Sequence, residues 1–136
     1  MVYDLLSLNT FREYFTLFLV GGILYVLIEI GYRGYSHISM FIVGGICFIL
    51  ISSIGEFIPF KISIFLQMLI ACILITSVEL ISGIIINIFL NLNVWDYSLN
   101  KFNLLGQICL KASITWFFLS LPAIYIGKFI KSFFIN

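Results

Sequence analysis

Four long apolar stretches divide the chain, at residues 14–31, 38–57, 63–90 and 108–130. Each approaches or exceeds the ~20 mostly apolar residues that cross ~30 Å of hydrocarbon. The third is longer than a bilayer requires at ~1.5 Å per residue, so it should tilt or project. The runs are continuous, whereas the strands of a membrane barrel alternate over ~10 residues. The pattern therefore predicts an all-α membrane protein: one integral membrane domain, a bundle of about four transmembrane helices, with a structured polar loop between spans three and four. A short interfacial helix is expected at residues 4–8, ahead of the first span. The two prolines are Pro59, in the link between spans two and three, and Pro122, inside span four, where it should kink or locally open the helix.

Composition strengthens this reading. Of 136 residues, 62% are hydrophobic and only 10% charged, against ~45–50% and ~25% in a soluble domain. So few charges cannot coat a water-soluble surface, so lipid must face much of it. The net charge is +1, with no basic cluster, which excludes nucleic acid as a partner. Cys47, Cys72 and Cys109 are scattered in apolar surroundings and form no CxxC, which speaks against a disulfide scaffold or a zinc site. The N-terminus does not read as a secretory signal, because Asp4 precedes any basic residue and Arg12-Glu13 interrupts the first apolar stretch. An even span count puts both termini on one side. Arg12, Lys61, Lys128 and Lys131 then oppose Arg33, Lys101 and Lys111, and this balance places the termini in the cytoplasm of a multi-pass cell-membrane protein.

The informative residues are those that lipid rejects. A charge at mid-bilayer costs about 2.5–3.5 kcal/mol on insertion scales. Glu29 and Arg33 are four residues apart near the end of span one, on one helix face. They are either an ion pair anchoring the helix end or one wall of a site in which Arg33 holds an anion. Glu79 lies deep inside span three, and Gly83 and Asn87 continue its face at i+4 and i+8. This stripe is either interhelical glue or an ion or proton ligand. His37 is the only histidine, a structural hydrogen-bonding residue or a proton-responsive one. Gly21-Gly22 and Gly44-Gly45, mid-span, predict close packing of spans one and two as a hairpin.

The loop at residues 91–107 is long for a connector and rich in Asn and aromatics. An aromatic belt at the membrane surface explains Trp95 and Tyr97. It does not explain Asp96, Asn100, Asn103 or Gln107, which suit a loop lining a polar cavity. In a four-span bundle, Glu29, Arg33, His37, Glu79, Asn87, Trp95, Asp96 and Gln107 are expected to converge near one membrane face. No GxxxxGK[ST], HExxH or GxSxG is present, and nothing in the spacing selects a catalytic residue, a metal set or a cofactor.

The residues Gly21-Gly22-x-x-Tyr25-x-x-x-Glu29, Arg33-Gly34-Tyr35-Ser36-His37, Met40 and Gly44-Gly45-Ile46-Cys47 resemble the first half of a known family. Glu79-Leu80-Ile81-Ser82-Gly83, Asn87, Trp95-Asp96-Tyr97-Ser98, Asn103, Gly106-Gln107-Ile108-Cys109, Trp116 and Ser120 resemble its second half. The family is the ABC-transporter type IV, or CmpB-like, family of bacterial membrane proteins, to which the vertebrate transmembrane protein 229 family looks similar. Ile38 departs from it, standing where an aromatic is expected. The resemblance implies a multi-span protein with a transport role. An ABC permease requires a separate ATPase and a cytoplasmic coupling surface, and the loop at residues 56–62 is short for one.

Three functions follow as expectations. The first is a transporter or transport-associated subunit. Four helices enclose little volume, so it should work as a homo-oligomer or with a membrane or ATPase partner, among membrane lipids. The second is an intramembrane enzyme acting on a lipid or isoprenoid, with Glu, His and Asp as acid and base. The third is a structural or regulatory subunit whose polar groups serve packing alone.

Overall fold

The computed structural model describes residues 2–58 and 60–134, with residues 2–6 as backbone only. In order, the elements are α1 (Val2–Arg33), α2 (Ile38–Ser52), the single turn α3 (Ile54–Phe57), α4 (Ile64–Gly83) continuing as a π-helical turn (Ile84–Phe89), β1 (Asn103–Leu104), β2 (Ile108–Cys109) and α5 (Leu110–Ser132). Helices dominate because apolar surroundings offer the backbone no water, so its N–H and C=O groups must bond within each segment.

Polar residues set the helix boundaries. Gly34 ends α1 with φ +81°, and its N–H donates to the Ile30 carbonyl at 2.8 Å, a left-handed cap that glycine adopts at little cost. His37 caps the start of α2, its Nδ1 accepting from the Ser39 N–H at 3.1 Å. Ser63 caps α4 by accepting from the Leu66 N–H at 3.2 Å. Cys109 takes the same place before α5, its Sγ accepting from the Ala112 N–H at 3.4 Å.

Among the described residues, three helices are long and apolar enough to cross a membrane: Ser7–Arg33, Ile64–Phe89 and Leu110–Ser132. The second expected span is shorter than the sequence predicts. Its helix stops at Ser52, where the Ser53 hydroxyl and N–H both donate to the Ile49 carbonyl and close the last turn. The 15 residues of α2 extend only ~22 Å. Residues 4–8 are not a separate helix either, because α1 runs unbroken from Val2. The fold is not wholly α-helical: β1 and β2 form one antiparallel pair, Asn103 opposite Cys109 and Leu104 opposite Ile108. Pro59 lies outside the described residues.

The chain forms two compact units. One contains the residues up to Ser53 together with those from Pro122 onward, and the other is Ile54–Leu121. The division falls at Pro122, which removes one backbone donor from the interior of α5.

In the first unit, α1 and α2 pack as the hairpin that the glycine pairs predict. A Cβ on Gly22 would meet the Phe41 ring at 2.8 Å, and one on Gly45 would meet the Phe18 ring at 2.6 Å. Gly21 is equally closed by Phe48 and the Gly44 carbonyl, and Gly44 by Tyr25 and the Gly21 carbonyl. The two helices carry the same spacing, Phe18-x-x-Gly21-Gly22-x-x-Tyr25 and Phe41-x-x-Gly44-Gly45-x-x-Phe48. Each glycine pair thus receives the other helix's aromatics around a local two-fold axis, and the Phe18 and Phe41 rings meet edge to face at 5.9 Å. The far part of α5 joins this hairpin. Leu17, Phe48 and Ile130 form a buried cluster, Gly127 lies against Ser52, and Lys131 pairs with Glu13 at 2.8 Å.

Candidate functional site

The second unit is organised by one polar face of α4. Cys72, Thr76, Glu79, Gly83 and Asn87 follow one another at i, i+4, i+7, i+11 and i+15, a spacing that keeps side chains on one side of a helix. At its start, the Thr76 and Ser113 hydroxyls lie 3.0 Å apart, and the Cys72 thiol donates to the Ser113 carbonyl at 3.1 Å. Glu79 follows, only 2% exposed. Gly83 and Asn87 complete the face where α4 gives way to the π turn, whose Leu90 N–H donates back to the Ile85 carbonyl at 2.9 Å. Such turns recur at functional sites.

The loop at residues 91–107 is fastened to the end of this face. Asn87 Nδ2 donates to Gln107 Oε1 at 2.8 Å, and the Val94 N–H donates to Asn87 Oδ1 at 2.7 Å. The Trp95 indole N–H donates to the Gln107 carbonyl at 3.0 Å, and Gln107 Nε2 donates to the Leu105 carbonyl at 3.0 Å. Gln107 sits on Gly83 so closely that a Cβ there would meet Gln107 Cβ at 2.8 Å. Trp95 and Gln107 are buried.

Asp96 plays a local part. It is exposed, and its Oδ1 accepts from the Ser98 N–H at 2.8 Å. Bonding to the Ser98 backbone and then its side chain holds the Asp96 carboxyl below its ordinary 3.8. Asn103 braces the same loop, donating to the Ser98 and Asn100 carbonyls and accepting from the Gly106 N–H at 3.1 Å. Gly106 adopts φ +72° with Asp96 Oδ1 3.0 Å from where a Cβ would stand, so this position requires glycine twice over.

The eight residues singled out by the sequence therefore fall into two groups. Glu79, Asn87, Trp95 and Gln107 line one continuous face with its attached loop, and Asp96 stands in the loop turn, all in the second unit. Glu29, Arg33 and His37 belong to the first unit. There Arg33 Nε meets Glu29 Oε2 at 2.6 Å, and the guanidinium lies over the Tyr35 ring, 4.6 Å from its centre. His37 is the exposed cap of α2. The sequence reading missed Ser113 and the positioning parts of Cys72, Thr76 and Cys109. The heptad-like spacing of Cys72, Thr76 and Glu79 was the available signal for the first two. Among the described residues, no group of three or more His, Cys, Asp or Glu is placed to hold a metal ion.

Long apolar helices carrying a buried acid and a fastened polar loop define a helical membrane protein rather than a soluble one. Residues 16–136 match the family described as "Putative ABC-transporter type IV", and the chain belongs to that family. Comparison with curated proteins and with solved structures gives no match.

Proposed function

We propose that the chain is a cell-membrane transport protein or transport-associated subunit in which Glu79 is the ligand for a cation or proton. The observation carrying this reading is the burial of Glu79, 2% exposed, inside a 26-residue apolar helix. A carboxylate at that depth is costly and typically marks an ion or proton path. Further along the same helix face, Asn87 and Gln107 bond each other and hold the loop through the Val94 N–H and the Trp95 indole. In this reading α2 is the fourth span, the termini face the cytoplasm, and two or more copies assemble around the pathway.

Purified protein in liposomes tests it. Ion or proton flux should fall at least tenfold in Glu79→Gln while the helical circular dichroism is retained. Unchanged flux in a folded Glu79→Gln protein would refute the assignment. Arg33→Ala probes the other group: the Glu29–Arg33 pair anchors a helix end, so flux should change little.

A further inference from the structure

A pocket of about 390 Å³ opens in the second unit where the loop meets the start of α5. Lys101 and Lys111 line it, together with Thr115 and the apolar side chains of Phe102, Leu110 and Ile114. Neither lysine takes part in an ion pair among the described residues. The pocket is therefore cationic, and no carboxylate lines it. The first turn of α5 adds the positive end of a 23-residue helix.

Its apolar side is continuous with the membrane-crossing surface. Leu110 and Ile114 are four residues apart on one helix face, 52% and 50% exposed. Lys111 and Thr115 repeat that spacing on the adjoining face. Leu110 opens a candidate span, so Lys111 stands at the level where lysines reach from apolar surroundings toward headgroups. Phe102, also in the lining, has a left-handed backbone at φ +55°, its carbonyl accepting from the Leu110 N–H at 3.3 Å. A cavity lined both by cations and by an aliphatic strip matches a molecule that is anionic at one end and aliphatic at the other.

We infer that this pocket binds an anionic phospholipid, with its phosphate between the Lys101 and Lys111 ammonium groups and an acyl chain along Leu110 and Ile114. A basic residue near a membrane surface strengthens anionic-lipid binding by a factor of about five, so the pair should supply about 25-fold.

The test uses the full chain in phosphatidylcholine nanodiscs containing a minority of spin-labelled phosphatidylglycerol. The immobilised spectral component gives the preference over spin-labelled phosphatidylcholine. Wild-type protein should prefer the anionic lipid, and Lys101→Gln/Lys111→Gln should lose that preference at least tenfold. Lys61→Gln/Lys128→Gln removes the same charge elsewhere and should leave it intact. An unchanged preference in the first variant, or an equal loss in the second, overturns the proposal. Glycerol phosphate, the headgroup chemistry without a chain, should compete far more weakly than short-chain phosphatidylglycerol. Equal competition would mean that the pocket takes a soluble phosphate ester, and would overturn the lipid assignment.

Discussion

Replacing Gly83 by alanine adds one methyl group where α4 meets Gln107. In a helix interior that change normally stabilises by up to ~1 kcal/mol. Here the new Cβ would stand 2.5 Å from Gln107 Oε1 and 2.8 Å from its Cβ, well inside van der Waals contact. Gln107 cannot swing aside freely. Its side chain bonds Asn87 and the Leu105 carbonyl, and its backbone bonds Leu104 and Trp95. Overpacking of this kind costs about 1–3 kcal/mol, and displacing the Asn87–Gln107 bond adds about 1 kcal/mol. Against the propensity gain, the net effect of Gly83→Ala is a loss of about 2 kcal/mol, a factor of about 30 in the folded-to-unfolded ratio. Gly31 is the control, since nothing lies within 4 Å of where its Cβ would be, and Gly31→Ala should be neutral or stabilising. Reversible unfolding in bicelles, followed by Trp95 fluorescence in a Trp116→Phe background, gives both values. A double-mutant cycle with Gln107→Ala isolates the clash, and the penalty should largely vanish when Gln107 is truncated. A Gly83→Ala protein as stable as wild type, or one equally destabilised without the Gln107 side chain, would refute the reasoning.

Three further outcomes follow from the packing. Gly21→Val and Gly44→Val occupy positions related by the local two-fold axis of the hairpin, so each should cost about 3 kcal/mol, and unfolding penalties differing by more than about 1 kcal/mol would break that symmetry. Glu13→Gln should destabilise the first unit by about 1–3 kcal/mol, because Lys131 is only 13% exposed and loses its carboxylate; adding Lys131→Gln should recover part of that loss in the same assay. The Asp96 carboxyl is held low by Ser98, so its contribution is complete above its ordinary 3.8 and lost as pH falls through the lowered value. The hydrogen-exchange protection of the Ser98 amide, corrected for intrinsic rates, should therefore fall below that pH in wild type and show no such step in Asp96→Asn.

The features legible in the sequence were those written in local spacing. Continuous apolar runs gave the helices their places, mid-span glycine pairs gave the hairpin, and the i, i+4, i+8 run of Glu79, Gly83 and Asn87 gave the polar face. What stayed hidden depends on partners far along the chain or on backbone geometry. Arg12-Glu13 reads as an interruption of the first apolar stretch, yet α1 passes through it, because Glu13 is neutralised by Lys131 at a separation of 118 residues. The end of α2 at Ser52 is equally silent, since Ser53 closes a helix inside a run that hydropathy alone would carry to Phe57. The bond between Asn87 and Gln107 joins positions 20 residues apart, so no local spacing announces it. The π turn has no sequence mark beyond Asn87, and the left-handed Asn91 and Asn93 that follow it show only as an Asn-rich stretch.

The discontinuity of the first unit constrains the order of biosynthesis. Its hairpin and the part of helix α5 that completes it are separated by the entire second unit. At about 5–20 residues per second, the ribosome needs several seconds to make what lies between. During that interval Glu13 is already in place while Lys131 does not yet exist. The glycine hairpin can close early, but its acid remains uncompensated until synthesis has passed residue 131. A chain interrupted before that point carries Glu13 inside its first helix without the lysine that pairs with it in the finished molecule.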